Sequence, residues 1–108
     1  RLACWRPHHH RKTMIVRLVK MTFRPEAVPL FEDLFHQHHQ AIRHFPGCRH
    51  LELLRDGHVF FTYSHWEKAQ DLENYRHSPL FQEVWPATKA LFAAPAEAWS
   101  TEQCYYLP

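Results

Sequence analysis

The stretch CRHLELLRDGHVFFTYSHW, residues 48–66, decides the fold. It consists of two segments in which apolar side chains alternate with polar ones, separated by Asp56-Gly57. Alternation with a period of two is typical of a β-strand, and Asp-Gly is a strong signal for a two-residue hairpin turn. The sequence therefore predicts an antiparallel hairpin of residues 48–55 and 58–66.

The register of this hairpin assigns its side chains to two faces of a sheet. With Asp56-Gly57 as the turn, Arg55 lies opposite His58 and Leu53 lies opposite Phe60. One face then carries Arg49, Leu51, Leu53, Phe60, Thr62, Ser64 and Trp66. The opposite face carries Cys48, His50, Glu52, Leu54, Val59, Phe61, Tyr63 and His65. Because both faces contain large apolar side chains, we expect both to be covered.

The segments on either side of the hairpin predict four further elements. Apolar and β-branched residues predict a strand over residues 14–23, and apolar residues at spacings of three and four predict a helix over residues 26–45. After the hairpin, residues 67–76 and 78–92 predict two short helices, and residues 97–107 predict a last strand.

The resulting order β-α-β-β-α-β is that of the ferredoxin-like arrangement, with the second helix broken in two. This is an α+β fold in which a four-stranded antiparallel sheet carries its helices on one face. The other face still carries Val59, Phe61 and Tyr63. Because an apolar sheet face has to be covered, we predict a homodimer that packs sheet against sheet, a dimeric α+β barrel.

Length and composition limit the class of protein. The 108 residues suffice for one domain, and 45% hydrophobic and 22% charged residues are ordinary values for a globular chain. No run of 18 apolar residues occurs, so we expect no membrane span. The three cysteines form no CxxC pair, which predicts inert buried thiols at Cys48 and Cys104 and a reducing, cytoplasmic location.

The positive charge is confined to the first residues. Residues 1–13 contain four of the 13 Lys and Arg residues and no acid, which leaves nine basic and eleven acidic residues, a net charge of −2, in residues 14–108. We predict that residues 1–13 are a disordered N-terminal extension and that residues 14–108 are the domain. A domain without an excess of basic residues does not favour nucleic acid as a partner.

The sequence offers no site for a common cofactor. Gly47 and Gly57 are the only glycines, which excludes the glycine-rich loops of nucleotide-binding sites. His36, His38 and His39 occur on the predicted first helix without the i, i+4 spacing of a helical metal site. We therefore expect neither a metal nor another cofactor.

Several longer strings resemble the antibiotic biosynthesis monooxygenase (ABM) family. They are FPGCRHLELLRDG, VFFTYSHWE, LENYRHSPLF and VWPATKALF, together with the strand VRLVKMTFRPE and the ending PAEAW. The resemblance covers nearly all of residues 14–103 in the expected order. It implies a dimeric α+β barrel, in agreement with the order of elements above.

The resemblance also implies a range of activities. Some members of the family are cofactor-independent oxygenases of polyphenols or quinols, and relatives include haem-degrading enzymes. This chain has Trp85 and Val19 where the haem-degrading relatives have a haem-ligating His and an Asn, which argues against haem. In the oxygenase relatives an Asn four residues before the strand-end Trp helps to position substrate. Here Thr62 precedes Trp66, and a Thr hydroxyl can still donate a hydrogen bond.

These residues combine into a predicted site between the sheet and the helices. We expect Trp66 to form a wall of a substrate pocket and to orient an oxygenated intermediate through its indole N–H; core packing is the alternative. His77, at the break between the two short helices, is predicted to be the general base, because a neutral imidazole accepts a proton near pH 7. The remaining predicted pocket residues are Thr62, Tyr75, Phe81, Trp85, Phe35 and His38.

The histidines of the opposite sheet face have a different interpretation. His50 and His65 share that face with Glu52 and Tyr63. We interpret them as part of a polar dimer interface, with a catalytic His-Glu pair as the alternative.

The functional hypothesis that follows is a monooxygenase, an oxidoreductase that uses O2 on a small hydroxyaromatic or quinol-type substrate. The substrate loses a proton to the base, and its anion then reduces oxygen directly without a flavin or a metal. The alternative is a non-catalytic dimeric protein that binds small molecules or acts in stress. Isomerase chemistry on a lactone or similar substrate is a third hypothesis.

Overall fold

The computed structural model describes residues 14–108, so the prediction of a disordered extension over residues 1–13 lies outside the described residues. The elements are β1 (Ile15–Thr22), a 3-10 turn (Pro25–Ala27), α1 (Val28–Arg43), β2 (Cys48–Asp56), β3 (Val59–Trp66), α2 (Ala69–Arg76), α3 (Pro79–Lys89) and β4 (Glu97–Glu102). The predicted order of elements is therefore confirmed, with a last strand that ends at Glu102 instead of residue 107.

The four strands form one antiparallel sheet in the order β2-β3-β1-β4. This sheet and the helices against it are the predicted ferredoxin-like α+β fold. A cluster of buried side chains from β1, α1 and β3 joins the layers, in which Phe23 stacks on Phe31 at 4.2 Å between ring centroids and meets Phe60 edge to face at 5.6 Å. Among the described residues, no helix is long and apolar enough to cross a membrane.

The hairpin register differs from the predicted one by two residues. Asp56 pairs with Val59, so the residues of the turn are Gly57 and His58 rather than Asp56 and Gly57. Gly57 has a φ of +64° and no non-glycine residue from 14 to 108 has a positive φ, which favours a turn with glycine at its first central position. Because side chains alternate with a period of two, a shift of two residues changes the partners and leaves the face of each side chain unchanged.

Cys48 lies on the other side of the sheet from the predicted one. A bulge between Cys48 and His50 makes Cys48 the partner of Trp66, and its side chain is buried beside Trp66 and Leu72. A bulge inserts an extra residue into the strand, so the side chains that precede it point to the opposite face of the sheet. Cys48 is a buried free thiol, as predicted.

The prediction of a second inert buried thiol is wrong for Cys104. This residue follows the end of β4, its side chain is exposed, and it is disulfide-bonded. The cysteine count therefore gives no support for a reducing compartment.

Local sequence signals explain how α3 begins. The Ser78 hydroxyl oxygen accepts a hydrogen bond from the Phe81 backbone N–H at 3.2 Å, and Pro79 occupies the first turn of α3. The Ser78 hydroxyl in turn donates to the Tyr75 carbonyl oxygen at 2.6 Å, which ties the end of α2 to the start of α3. This junction places the aromatic residues of both helices above the same part of the sheet.

Candidate functional site

A cavity of about 310 Å³ lies between the sheet and the helices. We call it the helix-side cavity. Its aromatic lining consists of Phe31, Phe35, Trp66, Tyr75, Phe81 and Trp85. Its aliphatic lining consists of Val19, Met21, Leu34, Ile42, Leu51, Leu72, Val84, Ala96 and Ala98. Its polar and charged lining consists of Arg17, Thr62, Ser64, Arg76 and Thr88.

The floor of the cavity is set by the alternation of the central strands. Thr62, Ser64 and Trp66 follow one another at every second position of β3 and therefore lie on one face. Val19 of β1 pairs with Thr62, and Arg17 pairs with Ser64. Three polar side chains, Thr62, Ser64 and Arg17, therefore lie on an otherwise apolar floor.

Trp66 is held rigidly at the end of β3. Its side chain is 1% exposed, and its ring stacks on that of Tyr75 at 5.2 Å between centroids with an interplanar angle of 24°. The indole N–H donates to the Ser64 hydroxyl oxygen at 3.0 Å. Because this bond engages the only donor of the indole, the polar group that Trp66 and Ser64 together offer to a ligand is the Ser64 hydroxyl.

Tyr75, Phe81 and Trp85 form a continuous aromatic wall on the helical side. The Tyr75 ring meets Phe81 edge to face at 5.2 Å, and Phe81 stacks on Trp85 at 5.7 Å with an interplanar angle of 16°. Phe81 and Trp85 are four residues apart on α3, which places them on the same helix face. Such a wall suits the flat face of an aromatic ligand.

The phenol of Tyr75 remains protonated at neutral pH. Burial is the largest cause, and with the nearby Cys48 it raises the pKa of Tyr75 to about 12. A phenol with this pKa is available as a hydrogen-bond donor and does not act as a base near pH 7.

Two of the predicted site residues, His38 and His77, are not among the residues that line the cavity. His77 is exposed at the C-terminal end of α2, and its Nδ1 lies 2.8 Å from the Glu73 carbonyl oxygen. His38 lies on α1 with its Nε2 3.8 Å from a Glu83 carboxylate oxygen. The other six predicted residues, Thr62, Trp66, Tyr75, Phe81, Trp85 and Phe35, all line the cavity.

Sequence reasoning missed four polar lining residues, which are Arg17, Ser64, Arg76 and Thr88. One signal for Arg17 was present, since it occurs between Ile15 and Val19 on the inward face of an otherwise apolar strand. Arg76 carried no such signal, because a basic residue in the last turn of a helix is common on a solvated surface.

The opposite side of the sheet carries a different group of rings. His50, Tyr63 and His65 are in mutual contact, with centroid separations of 4.9 to 5.8 Å. The Nε2 atom of His65 is buried without a hydrogen-bond partner, whereas His50 Nε2 is bonded to the Glu52 carboxylate. Burial of His65 is the main cause that lowers its pKa, and the neighbouring His50 adds to it.

No arrangement for a metal ion is found in the described part of the chain. Among residues 14–108, no group of three or more His, Cys, Asp or Glu side chains is placed to hold a metal ion.

Comparisons with known structures identify many proteins with this architecture. A conserved protein from Methanosarcina mazei Go1 superposes with a TM-score of 0.80 at 17% sequence identity, over 83% of this chain and 92% of that chain. Rv0793 from Mycobacterium tuberculosis gives a TM-score of 0.76 at 18% identity, over 82% and 92% of the two chains. A structure described as an antibiotic biosynthesis monooxygenase gives 0.77 at 16% identity, over 87% and 99%. At these identities the similarity shows a shared fold.

The sequence itself matches a family model. A search of curated proteins finds no match. The model of the family described as antibiotic biosynthesis monooxygenase, however, matches residues 14–86, which span both central strands and all three helices down to Pro86. This match covers more than half of the chain, and the chain therefore belongs to the antibiotic biosynthesis monooxygenase (ABM) family.

Proposed function

We propose that this protein is a monooxygenase that uses O2 to oxidise a small hydroxyaromatic or quinol-type substrate in the helix-side cavity, without a resident cofactor. The observation that carries the proposal is the lining of that cavity. An aromatic wall of Tyr75, Phe81 and Trp85 faces a floor with two hydroxyl groups, Thr62 and Ser64. Membership of the ABM family supports the reaction class.

The proposed reaction balances without an external reductant. A phenol with a ring C–H para to its hydroxyl reacts with O2 to give a quinone and water. One oxygen atom becomes the new C=O, and the second leaves in water together with the hydroxyl proton and the ring proton. The substrate supplies all four electrons that O2 accepts, so the protein does not need to store any.

The first steps determine what the protein has to do. Loss of the hydroxyl proton gives an aryloxide, which transfers one electron to O2; the resulting radical pair combines to form a C–O bond. Cleavage of the O–O bond with loss of the ring proton then completes the reaction. A largely apolar cavity favours this sequence because it holds the aromatic ring and O2 together.

The hydroxyl groups of the floor orient the substrate in this proposal. The Ser64 oxygen accepts from the Trp66 indole, which fixes its position and leaves its own O–H as a donor towards the substrate oxygen. Thr62 lies two residues before Ser64 on the same face of β3 and supplies a second hydroxyl group. Trp66 thus acts as a wall and as the group that positions Ser64.

The acceptor of the hydroxyl proton differs from the sequence hypothesis. No His, Asp or Glu is among the residues that line the cavity, and His77 is exposed and bonded to the Glu73 carbonyl. We therefore propose that water accepts the proton and that His77 caps the end of α2.

The proposed assembly is a homodimer through the side of the sheet that the helices do not cover. We call this the outer sheet face and define it by Leu18, Leu54, Phe61, Tyr63 and Trp99. Leu54 and Trp99 are 49% and 45% exposed in the single chain. Exposed apolar side chains on a flat sheet favour packing against a second copy.

The second candidate function is small-molecule binding without catalysis. It is favoured by the absence of a carboxylate or imidazole from the cavity lining within residues 14–108. A binding protein needs the same aromatic wall but no means of generating the aryloxide.

Oxygen consumption distinguishes the two functions. The full chain is incubated with a panel of phenols, naphthols and quinols in an oxygen-electrode cell, and binding of the same compounds is followed by the fluorescence of the cavity tryptophans. The monooxygenase proposal expects saturable oxygen uptake above the rate without protein. Binding with uptake at the uncatalysed rate across the panel would instead establish the binding protein.

A further inference from the structure

Two arginine side chains reach the helix-side cavity from different layers. Arg17 comes from the middle strand β1, and Arg76 is the last residue of α2. They are the charged residues of the cavity lining, which contains no Asp or Glu. A cavity otherwise lined by rings and aliphatic groups therefore carries positive charge at one place.

Arg17 has small neighbours on both adjacent strands. Ser64 of β3 and Ser100 of β4 are its partners across the sheet. Its guanidinium NH1 donates to the Ser100 hydroxyl at 2.9 Å. Within residues 14–108 this neutral hydroxyl is its side-chain partner, and no salt bridge to a carboxylate is formed.

Arg17 also experiences the charge of Arg76. Burial is the main cause that lowers the pKa of Arg17, and the positive charge of Arg76 lowers it further, with a partial offset from Glu73. Arg76 is itself paired with Glu73, whose carboxylate oxygen lies 3.1 Å from NH1. Glu73 is thus paired with Arg76 and only partly offsets the charge at Arg17, which leaves the local charge positive.

We propose that Arg17 and Arg76 form a subsite for an oxyanion of the ligand, so that the ligands of this cavity are aromatic compounds bound as carboxylates or aryloxides. A guanidinium presents a fork of N–H donors that matches a planar or two-oxygen anion. The aromatic wall then holds the ring, and the two arginines hold its acidic oxygen. The inference rests on the proposed function in taking this cavity as the substrate site, and it narrows the substrate class to acids.

An oxyanion at this place relieves an unfavourable arrangement of the empty protein. A half-buried cation without a carboxylate partner is poorly compensated, and a like charge nearby adds to its cost. An aryloxide bound between the two arginines is stabilised relative to the neutral phenol, so its hydroxyl ionises at a lower pH. The subsite would therefore also provide the anion that the proposed oxidation needs, without a histidine base.

The test compares an acid with its neutral ester. Binding of 4-hydroxybenzoate and of methyl 4-hydroxybenzoate to the full chain is measured at pH 7 through the fluorescence of the cavity tryptophans. Charge-assisted hydrogen bonds are worth about 1.5–3 kcal/mol, so we expect the acid to bind at least about tenfold more tightly than the ester. Equal affinities for the acid and the ester, or binding of neither 4-hydroxybenzoate nor a larger acid such as a hydroxynaphthoate, would overturn the proposal.

A second arm of the experiment, with 4-nitrophenol, tests whether the subsite binds an aryloxide. Its affinity is measured on both sides of the pH at which its free hydroxyl ionises. Tighter binding of the ionised form, with a lowered pKa for the bound phenol seen in its absorption spectrum, assigns the subsite to aryloxides. A preference for the carboxylate alone assigns it to carboxylates.

Variants separate the charge from its structural setting. Arg17→Gln and Arg76→Gln are each expected to reduce the preference for the acid to about threefold or less, since each removes one charged donor. Arg55→Gln, which removes a positive charge on β2 outside the cavity, is the matched control and should keep the preference. Ser100→Ala removes the hydrogen bond to Arg17 but leaves the guanidinium in place. This variant should therefore also retain the preference for the acid. An unchanged preference in both cavity variants would contradict the proposal.

The outcomes keep the subsite and the oxygenase activity distinguishable. A preference for acids without oxygen uptake would leave the subsite in place and remove the oxygenase function. Oxygen uptake on neutral quinols, with equal affinity for acid and ester, would support the oxygenase function and remove the subsite.

Discussion

The two faces of the same sheet differ in what covers them, although both carry tryptophan and other rings. On the helix side, Trp66 is 1% exposed and its indole N–H is bonded to Ser64. On the outer sheet face, Trp99 is 45% exposed. The alternation of side chains produces both faces in the same way, and the covering layer determines their roles. On one face the helices leave the helix-side cavity, and on the other face no layer of residues 14–108 covers the exposed rings.

The polar groups follow the same division. On the helix side, the Ser64 hydroxyl accepts from the Trp66 indole and the Ser100 hydroxyl accepts from Arg17. On the outer face, the His65 Nε2 atom is buried without a partner. A buried polar atom without a partner is unfavourable, which favours an outer face completed by something outside the single chain.

The largest expected difference between the faces is in stability. Trp66→Ala removes a fully buried ring and should lower the free energy of unfolding by about 3–5 kcal/mol. Trp99→Ala is the matched control, because its ring is half exposed, and we expect a change of less than about 1 kcal/mol in the separated monomer. Urea unfolding of both variants at low protein concentration measures the difference. Similar losses for the two would contradict the assignment of the faces.

The second difference is in self-association. Leu54→Glu puts a charge on the outer sheet face, and it should raise the dimer dissociation constant by at least about tenfold, because a charge is costly to bury without a partner. Leu30→Glu, on an exposed position of α1, is the control and should leave the constant unchanged. Light scattering across a dilution series measures both. A chain that is monomeric before any substitution would remove the proposed interface.

The third difference is a pH dependence that belongs to the outer face. Burial lowers the pKa of His65 in the folded state below its ordinary value of 6.5, so the unfolded chain binds the proton more readily. The free energy of unfolding should therefore fall as the pH drops below about 6.5 towards the folded-state pKa. His65→Asn should flatten this part of the profile in urea unfolding between pH 7 and pH 5. An identical slope with and without the histidine would contradict this assignment.

The smallest expected effect concerns His77, which the sequence proposes as the base. Because His77 is exposed and bonded to the Glu73 carbonyl oxygen, His77→Ala should retain at least about half of the wild-type rate of oxygen uptake, as surface substitutions usually have small effects. A rate reduced by about a hundredfold, with the fold intact by circular dichroism, would restore His77 as the general base.

The sequence was sufficient for the fold because its signals there are local and periodic. Alternation in residues 48–66 assigned Thr62 and Trp66 to the helix side even though the predicted turn is one residue away and the strand pairing differs by two, since a shift of two in the pairing preserves the face. The bulge between Cys48 and His50 has no signal in the alternation of side chains, so the side of the sheet predicted for Cys48 was wrong. All six aromatic and hydroxyl residues proposed for the site line the cavity, because strand alternation and the spacing of three and four on the helices both assign side chains to a face.

The electrostatics of the site were not predictable in this way. That Arg17 and Arg76 line the same cavity depends on the packing of α2 over β3, which no spacing in the chain reveals. His77 stood out because of its residue type and its place between two helices. Its orientation, however, is set by a backbone carbonyl at the end of α2, and sequence patterns do not show such bonds.

The fate of labelled oxygen tests the central claim most directly. The full chain is incubated with ¹⁸O₂ and a hydroxyaromatic acid whose ring carbon para to the hydroxyl carries a hydrogen, and the mass of the quenched product is measured by mass spectrometry. The proposed reaction predicts one labelled oxygen atom in each product molecule, formed at a rate that saturates with substrate and exceeds the rate without protein. Binding of the same acids, with neither labelled product nor oxygen consumption above that background rate, would contradict it.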